Sequence, residues 1–339
     1  MHEFYSDTQT RPTFAMREAA LRVKLGDERH DQDPATTELC ARVADMLGMD
    51  AAVFLPSGTM CNEIAIAVHT RPGDEVICTR ESHIIFAESG GPAALSGVMM
   101  CPVDTKRGML TPEQVVAHVR PTSAHAPRSR LLLAEQTANL AGGAVWPVEQ
   151  LNATIEAAKS AGLSTHLDGA RLLNAQVATG VSAAEYAKGF DSAWIAFTKG
   201  LGCPVGAVLA GSSDFIDKAW LLKRRWGGAM RQTGVLTAMC LYALDHHIDR
   251  LADDHALATY IGARLTELGI VFNILPIDSN IVIADLPDSG PDAREFAAQL
   301  RRKNITITVV GTRRIRIVTH MDVGQVNADA LITAMATVI

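Results

Sequence analysis

Two residues of opposite chemistry sit among small neighbours: Asp168 in His166-Leu167-Asp168-Gly169-Ala170-Arg171, and Lys199 in Phe197-Thr198-Lys199-Gly200-Leu201-Gly202. Taken singly, each reads as half of a surface ion pair. Taken together they suit a bound cofactor, because an amine can hold a carbonyl compound as a Schiff base while a carboxylate keeps a pyridine nitrogen protonated. Pyridoxal 5'-phosphate (PLP) needs this pairing to act as an electron sink. Residues 163–167 and 191–197 read as short apolar strands, one ending on the acid and the other on the amine. In an open α/β sheet the ligand crevice lies at the carboxyl ends of the strands, and the flanking glycines let a ligand approach closely.

Other residues point to the same edge. An apolar strand at 51–55 runs into Pro56-Ser57-Gly58-Thr59 and then a helix, so the backbone N–H groups of Gly58 and Thr59 form an anion site at a helix N-terminus. His83 follows a strand at 75–79, on the crevice side. His125 lies in the polar loop 120–129, before a strongly apolar strand at 130–135 that leads into Gln136-Thr137-Ala138-Asn139. Helical spacing puts Ala87 one turn after His83 on the same face. His30 lies in the charged loop 26–34.

The elements that must position these residues alternate as strand and helix to about residue 245, which predicts a doubly wound α/β domain over 1–245. A smaller α+β domain is expected over 246–339, with strands at 271–275, 280–284, 305–310 and 314–319 and helices at 291–303 and 326–337. A helical stretch over 232–268 is expected to break near His246-His247, with both histidines facing solvent. The cluster Lys223-Arg224-Arg225 reads as a solvated helix face or a subunit contact. With 339 residues, 48% of them hydrophobic, the chain can bury one large core and a satellite. A formal charge of -6 argues against nucleic acid or an anionic membrane as partner. Neither a leader nor a membrane span is expected. Six cysteines without a C-x-x-C pair fit reduced thiols in the cytoplasm, and no metal chemistry is expected.

Several segments, in matching order along almost the whole chain, resemble the L-threonine aldolases of the low-specificity type. They are Ser-Asp-Thr-x-Thr-Arg-Pro at 6–12, Pro-Ser-Gly-Thr at 56–59, Ser-His at 82–83, His-Leu-Asp-Gly-Ala-Arg at 166–171, Lys-Gly-Leu-Gly-x-Pro-Val-Gly at 199–206, Gly-Gly-x-Met-Arg-Gln at 227–232 and Arg-Ile-Val-Thr-His-Met-Asp-Val at 316–323. The resemblance implies the aspartate-aminotransferase fold (PLP-dependent fold type I), with a mostly parallel seven-stranded sheet. It implies that Lys199 carries PLP covalently, that Asp168 pairs with the ring nitrogen, and that His83 stacks on the ring. Gly58 and Thr59 would hold the phosphate, Arg171 would also contact the cofactor, and Arg231 would lie near the cofactor or a subunit interface. Arg171 and Arg316, with Ser6, would grip the substrate carboxylate, for which a guanidinium fork is suited. His83 or His125 would supply the base for cleaving a β-hydroxy-α-amino acid to glycine and an aldehyde, in a homotetramer built as a dimer of dimers.

Three departures from the family pattern bear on substrate. His30, in Arg29-His30-Asp31-Gln32-Asp33-Pro34, stands where an aromatic is common; Ala138 replaces a histidine in Glu135-Gln136-Thr137-Ala138-Asn139; and Ala87 replaces a large aromatic. Ala87 would leave room beside the substrate's β-substituent, as for phenylserine, unless His30 fills that space. These loops leave β-elimination or transaldolation on a related amino acid open as the alternative reaction. A cofactor-free scaffold is disfavoured by the retained Lys199, Asp168 and arginines, and a nicotinamide dehydrogenase by the lack of G-x-G-x-x-G after a strand.

Overall fold

The computed structural model describes residues 1–271 and 273–338. Its main sheet has seven strands in the order Ala51–Leu55, Ala207–Gly211, Ser192–Ala196, Ser164–Asp168, Arg128–Glu135, Asp74–Thr79 and Met99–Val103. Ala207–Gly211 runs antiparallel to both of its neighbours and the other pairs are parallel, as the mostly parallel expectation requires. Helices cover both faces, so the central strands are apolar on both sides. Along Arg128–Glu135, Leu132 and Ala134 join a core with Phe54, Ile77 and Trp146, while Leu131 and Leu133 pack with Val76, Cys78 and Ile66 on the other face.

Parallel pairing brings the chemistry to one edge. Glu135 and Asp168 are register partners at the carboxyl ends of adjacent strands. The next strand ends at Ala196, three residues before Lys199. Helix Gly58–His69 starts from the same edge, its first turn capped by the Ser57 hydroxyl, which accepts from Met60 N–H at 3.2 Å.

A second core gathers Phe4 with Ile261, Leu265, Phe296, Ile315, Ile317 and Leu331. It backs a four-stranded antiparallel sheet ordered Thr308–Val309, Arg314–Val318, Ile281–Asp285 and Asn273–Ile274. The strand expected at 271–275 thus appears at Asn273–Ile274, and Phe272 lies outside the described residues. The two cores support the domain division we propose near residue 246, with one addition. His2–Glu3 pairs in parallel with Ile305–Thr306, so the first residues are built into the small unit before the chain crosses to the large one.

The break in the 232–268 stretch falls between Gly234–His246 and Leu251–Glu267. His247 at that break is buried, contrary to expectation, and its Nδ1–H donates to the Leu201 carbonyl at 2.8 Å. Lys223 also departs from its expected exposure. Its side chain is fully buried, with Nζ 2.7 Å from Glu28 Oε2 and 4.2 Å from the Trp220 ring centroid. Arg224 and Arg225 are exposed. Helices Leu172–Thr179 and Ala183–Ala187 had no counterpart in the sequence reading. The first has Leu172 to Ala175 all buried, so no polar stripe announces it.

Candidate active site

A cavity of about 200 Å³ lies at the strand ends, and its lining includes Lys199, Asp168, His83, Gly58 and Thr59. The cofactor residues expected from sequence therefore converge, except Arg171 and Arg231, which are not among the lining residues. Asp168 is 1% exposed and is held from two sides: Ala170 N–H donates to Oδ1 at 3.0 Å and Asn62 Nδ2–H to Oδ2 at 2.8 Å. Gly169 makes the sharp exit from the strand possible, since a Cβ there would lie 1.9 Å from the Trp194 carbonyl oxygen. At Gly58 a Cβ would meet the Trp194 ring at 2.2 Å, so glycine lets the helix start close against that indole.

Asn62 orients this floor. Its Oδ1 accepts from Trp194 Nε1–H at 2.7 Å and from His166 Nε2–H at 3.2 Å, which fixes Nδ2 as the donor to both Asp168 and Glu88. Burial and then the neighbouring His69 push the His166 pKa down to about 3, so this ring is neutral and its Nδ1 accepts from the Ser192 hydroxyl at 2.8 Å. The amide's orientation is thus set by the Trp194 indole, which can only donate.

The Lys199 ammonium makes no ion pair or hydrogen bond among the described residues, and its pKa is lowered by burial and then by the Arg171 charge. Three consecutive carbonyls around it are gripped instead: Lys199 O by the Thr10 hydroxyl at 2.9 Å, Gly200 O by Arg250 Nη1 at 3.3 Å and Leu201 O by His247 Nδ1 at 2.8 Å. The loop is held by its backbone, which leaves the amine uncommitted.

His83 is tied by two carboxylates. Its backbone N–H donates to Glu135 Oε2 at 2.9 Å, and its Nδ1–H donates to Glu88 Oε1 at 2.8 Å. Burial lowers its pKa, but the Glu88 hydrogen bond and the charges of Asp168, Glu135 and Glu88 outweigh that and raise it. Glu135 is pushed up to about 7, by burial and then by Asp168. Its Oε1 accepts from Asn139 N–H, and Asn139 Oδ1 accepts from Arg316 Nη1 at 2.8 Å, so one carboxyl aligns both the His83 segment and the Arg316 support.

The two arginines differ. Arg171 faces Asp7 as a fork, with Nε–Oδ2 and Nη2–Oδ1 both at 2.8 Å and both side chains buried. Arg316 makes one short bond, to Asn139; its Nη2 contacts to Tyr5 O and the Thr308 hydroxyl are long, and its buried Nε has no partner. Arg316 is therefore the freer fork for a carboxylate, and Arg171 is committed to Asp7. Ser6 lies at the same place, with its hydroxyl accepting from Thr8 N–H at 3.2 Å.

Other expected residues are not brought to the cavity within one chain. His125 precedes strand Arg128–Glu135, whose eight residues span roughly 25 Å and put it at the opposite end from Glu135. Ala87 closes the short helix His83–Phe86, its N–H donating to the His83 carbonyl at 2.8 Å, and its side chain is exposed and not among the cavity lining. His30 and Arg231 are exposed around the buried Glu28–Lys223 pair, and Glu28 N–H donates to the Arg231 carbonyl. Asn62, Glu88, Glu135, Asp7 and His166 were not singled out from sequence. The available signal was a polar residue inside an otherwise apolar element, as with Asn62 and Glu63 in helix Gly58–His69.

These residues fit PLP on structural grounds. An uncommitted, half-buried amine and a hydrogen-bonded carboxylate share one cavity. The Gly58 and Thr59 N–H groups, which have no intrahelical partner, open onto it.

The model of the beta-eliminating lyase family matches residues 3–287. A probable low-specificity L-threonine aldolase of Arabidopsis thaliana is 36% identical over 97% of this chain and 94% of its own. The low-specificity L-threonine aldolase of Escherichia coli K12 is 35% identical over 96% and 95%. Among solved structures, the threonine aldolase of Leishmania major has a TM-score of 0.86 at 21% identity, covering 99% of this chain and 98% of that one. A structure of SPT with PLP has a TM-score of 0.73 at 16% identity, covering 99% and 86%. Sequence likeness over nearly the full length and a shared fold agree: the chain belongs to the beta-eliminating lyase family, among its low-specificity L-threonine aldolases.

Proposed function

We propose that this chain uses bound PLP to cleave a β-hydroxy-α-amino acid, such as threonine, allo-threonine or a bulkier analogue, to glycine and an aldehyde. The observation that carries this reading is the meeting of Lys199, Asp168 and His83 in one cavity. Bound PLP supplies the sink for the electron pair released when the Cα–Cβ bond breaks. The lowered pKa of Lys199 favours the neutral amine needed for covalent attachment. Asp168, already aligned by Asn62 and Ala170, presents a carboxylate to a ring nitrogen. Gly58 and Thr59 offer N–H groups to a phosphate, and Arg316 with Ser6 offers donors to the substrate carboxylate. Because His83 Nδ1–H is given to Glu88, Nε2 is the atom that can take the β-hydroxyl proton.

Glycine detection with a panel of β-hydroxy amino acids tests the reading; ammonia and a keto acid would instead indicate β-elimination. The base must be neutral to act, and the His83 pKa is raised above its ordinary 6.5, so kcat/KM is expected to climb with pH through a value above that. His83→Asn should lose that limb and roughly 10²–10⁴-fold in kcat. A pH profile unchanged in the variant would assign the base elsewhere.

A homotetramer, paired as dimers, is part of the same proposal. Phe14 and Leu21 are exposed on a helix packed against Gly234–His246, where Val235 is also exposed, and this apolar surface supports self-association. Sedimentation of the cofactor-loaded protein at micromolar concentration should give a species of four chains; a fully active monomer would contradict it. Among the described residues no helix is long and apolar enough to cross a membrane. Six free cysteines support a cytoplasmic location.

A further inference from the structure

Next to His83 lie two carboxyl groups that the mechanism above does not use in full. Glu63, on helix Gly58–His69, and Glu88, after the short helix His83–Phe86, are 2% and 4% exposed. Both oxygens of Glu63 and Oε2 of Glu88 are buried without a hydrogen-bond donor, and Asn62, the helix neighbour of Glu63, donates to Glu88, so the two carboxyls share one buried corner. Gly91 closes over Glu63, since a Cβ at that position would lie 2.0 Å from Glu63 Oε1. Two buried carboxylates this close cannot both be charged, so the pair holds a proton.

The surroundings say which residue holds it. Glu88 Oε1 already accepts from Asn62 Nδ2–H and His83 Nδ1–H, each at 2.8 Å. Glu63 has no such donor. Burial, then the charge of Glu88 and the hydrogen bond to it, push the Glu63 pKa up to about 8.

We propose that Glu63 is a positioning residue: a neutral acid that donates its proton to Glu88 Oε2, so that the Glu88 carboxyl is fixed in place to hold the His83 Nδ1–H and leaves Nε2 for proton exchange with substrate. The groups facing His83 are then Glu88 from its own segment, Asp168 and Glu135 from the two adjacent strand ends, and the neutral Glu63 behind Glu88. The catalytic consequence rests on the aldolase reading; the proton-sharing pair does not.

The test compares full-length wild type, Glu63→Leu and Glu63→Gln. Nitrogen-15 shifts of His83, assigned with His83→Asn, are followed against pH in cofactor-free protein, and kcat and KM for threonine are measured in the loaded enzyme. In Glu63→Leu, Glu88 Oε2 loses its donor and the carboxyl is free to turn away from the His83 Nδ1–H. The His83 pKa is then expected to fall by about one unit, tenfold in its protonation equilibrium, and the Nδ1–H tautomer to weaken. The fall in kcat should exceed any change in KM. Glu63→Gln keeps an N–H donor toward Glu88 and should rescue most of both effects. A His83 titration identical in Glu63→Leu and wild type overturns the proposal, as does a Gln variant that behaves like Leu. Failure of wild type to form glycine would reject the aldolase reading while the NMR titration still judges the pair.

Discussion

In Lys199→Ala, the visible absorption of the PLP-loaded protein is expected to be lost and glycine formation to fall roughly 10⁴–10⁶-fold, the scale seen when a covalent catalytic residue is removed. The side chain makes no hydrogen bond or ion pair among the described residues, and the loop that carries it is held through the carbonyls of Lys199, Gly200 and Leu201. Those three bonds survive truncation at Cβ. The variant should therefore fold with wild-type stability, which separates loss of chemistry from loss of structure. Asp168→Asn should act differently: the amide oxygen keeps one of the Asn62 and Ala170 donors while the other faces the new NH2, so cofactor is partly retained while turnover drops. Absorbance of the loaded proteins and glycine assays on both variants distinguish the two roles, and a normal rate in Lys199→Ala would end the PLP reading.

The residues that end strands were legible because an apolar run that stops on a charged residue is visible one-dimensionally. Asp168 closes such a run and Lys199 follows one closely, whereas Glu135, which also ends a strand, carried no second signal to mark it. What the sequence did not reveal is pairing between distant segments. Lys223 looks like part of a basic cluster until Glu28, far away in sequence, is seen to neutralise it in the interior. His247 looks like its neighbour His246, yet only one of them meets the Leu201 carbonyl. Asn62 is an ordinary polar residue in an apolar helix until Asp168, Glu88, Trp194 and His166 converge on its amide. Ala87 shows the opposite failure. Helical spacing from His83 holds as far as Ala87, whose N–H bonds the His83 carbonyl, but spacing fixes a position on the helix and not what covers it, and Ala87 is exposed.

Asp7→Ala is expected to cost about 3–5 kcal/mol of stability, because it leaves the Arg171 guanidinium buried without its counter-ion. Against the 5–15 kcal/mol typical of a folded domain that is a large fraction, equivalent to a fall in Tm on the order of 10 °C. Asp7 holds more than Arg171: its Oδ2 also accepts from Asn280 Nδ2–H at 3.1 Å, so one carboxylate joins the N-terminal segment, the turn after Asp168 and the small sheet. Burial alone would raise its pKa; the Arg171 charge and hydrogen bonds reverse that and hold it well below the ordinary 3.8. A depressed carboxylate contributes stability above its unfolded pKa and loses that contribution as pH falls through the folded value. The gap in Tm between wild type and Asp7→Ala should thus be constant from about pH 5 upward and shrink progressively as pH falls below that. Combining Asp7→Ala with Arg171→Met removes both buried charges and should recover much of the loss, since an apolar pair of similar volume has no ion to desolvate. If the double variant is no more stable than Asp7→Ala, the cost lies in lost packing and the Asn280 contact, and not in the stranded charge.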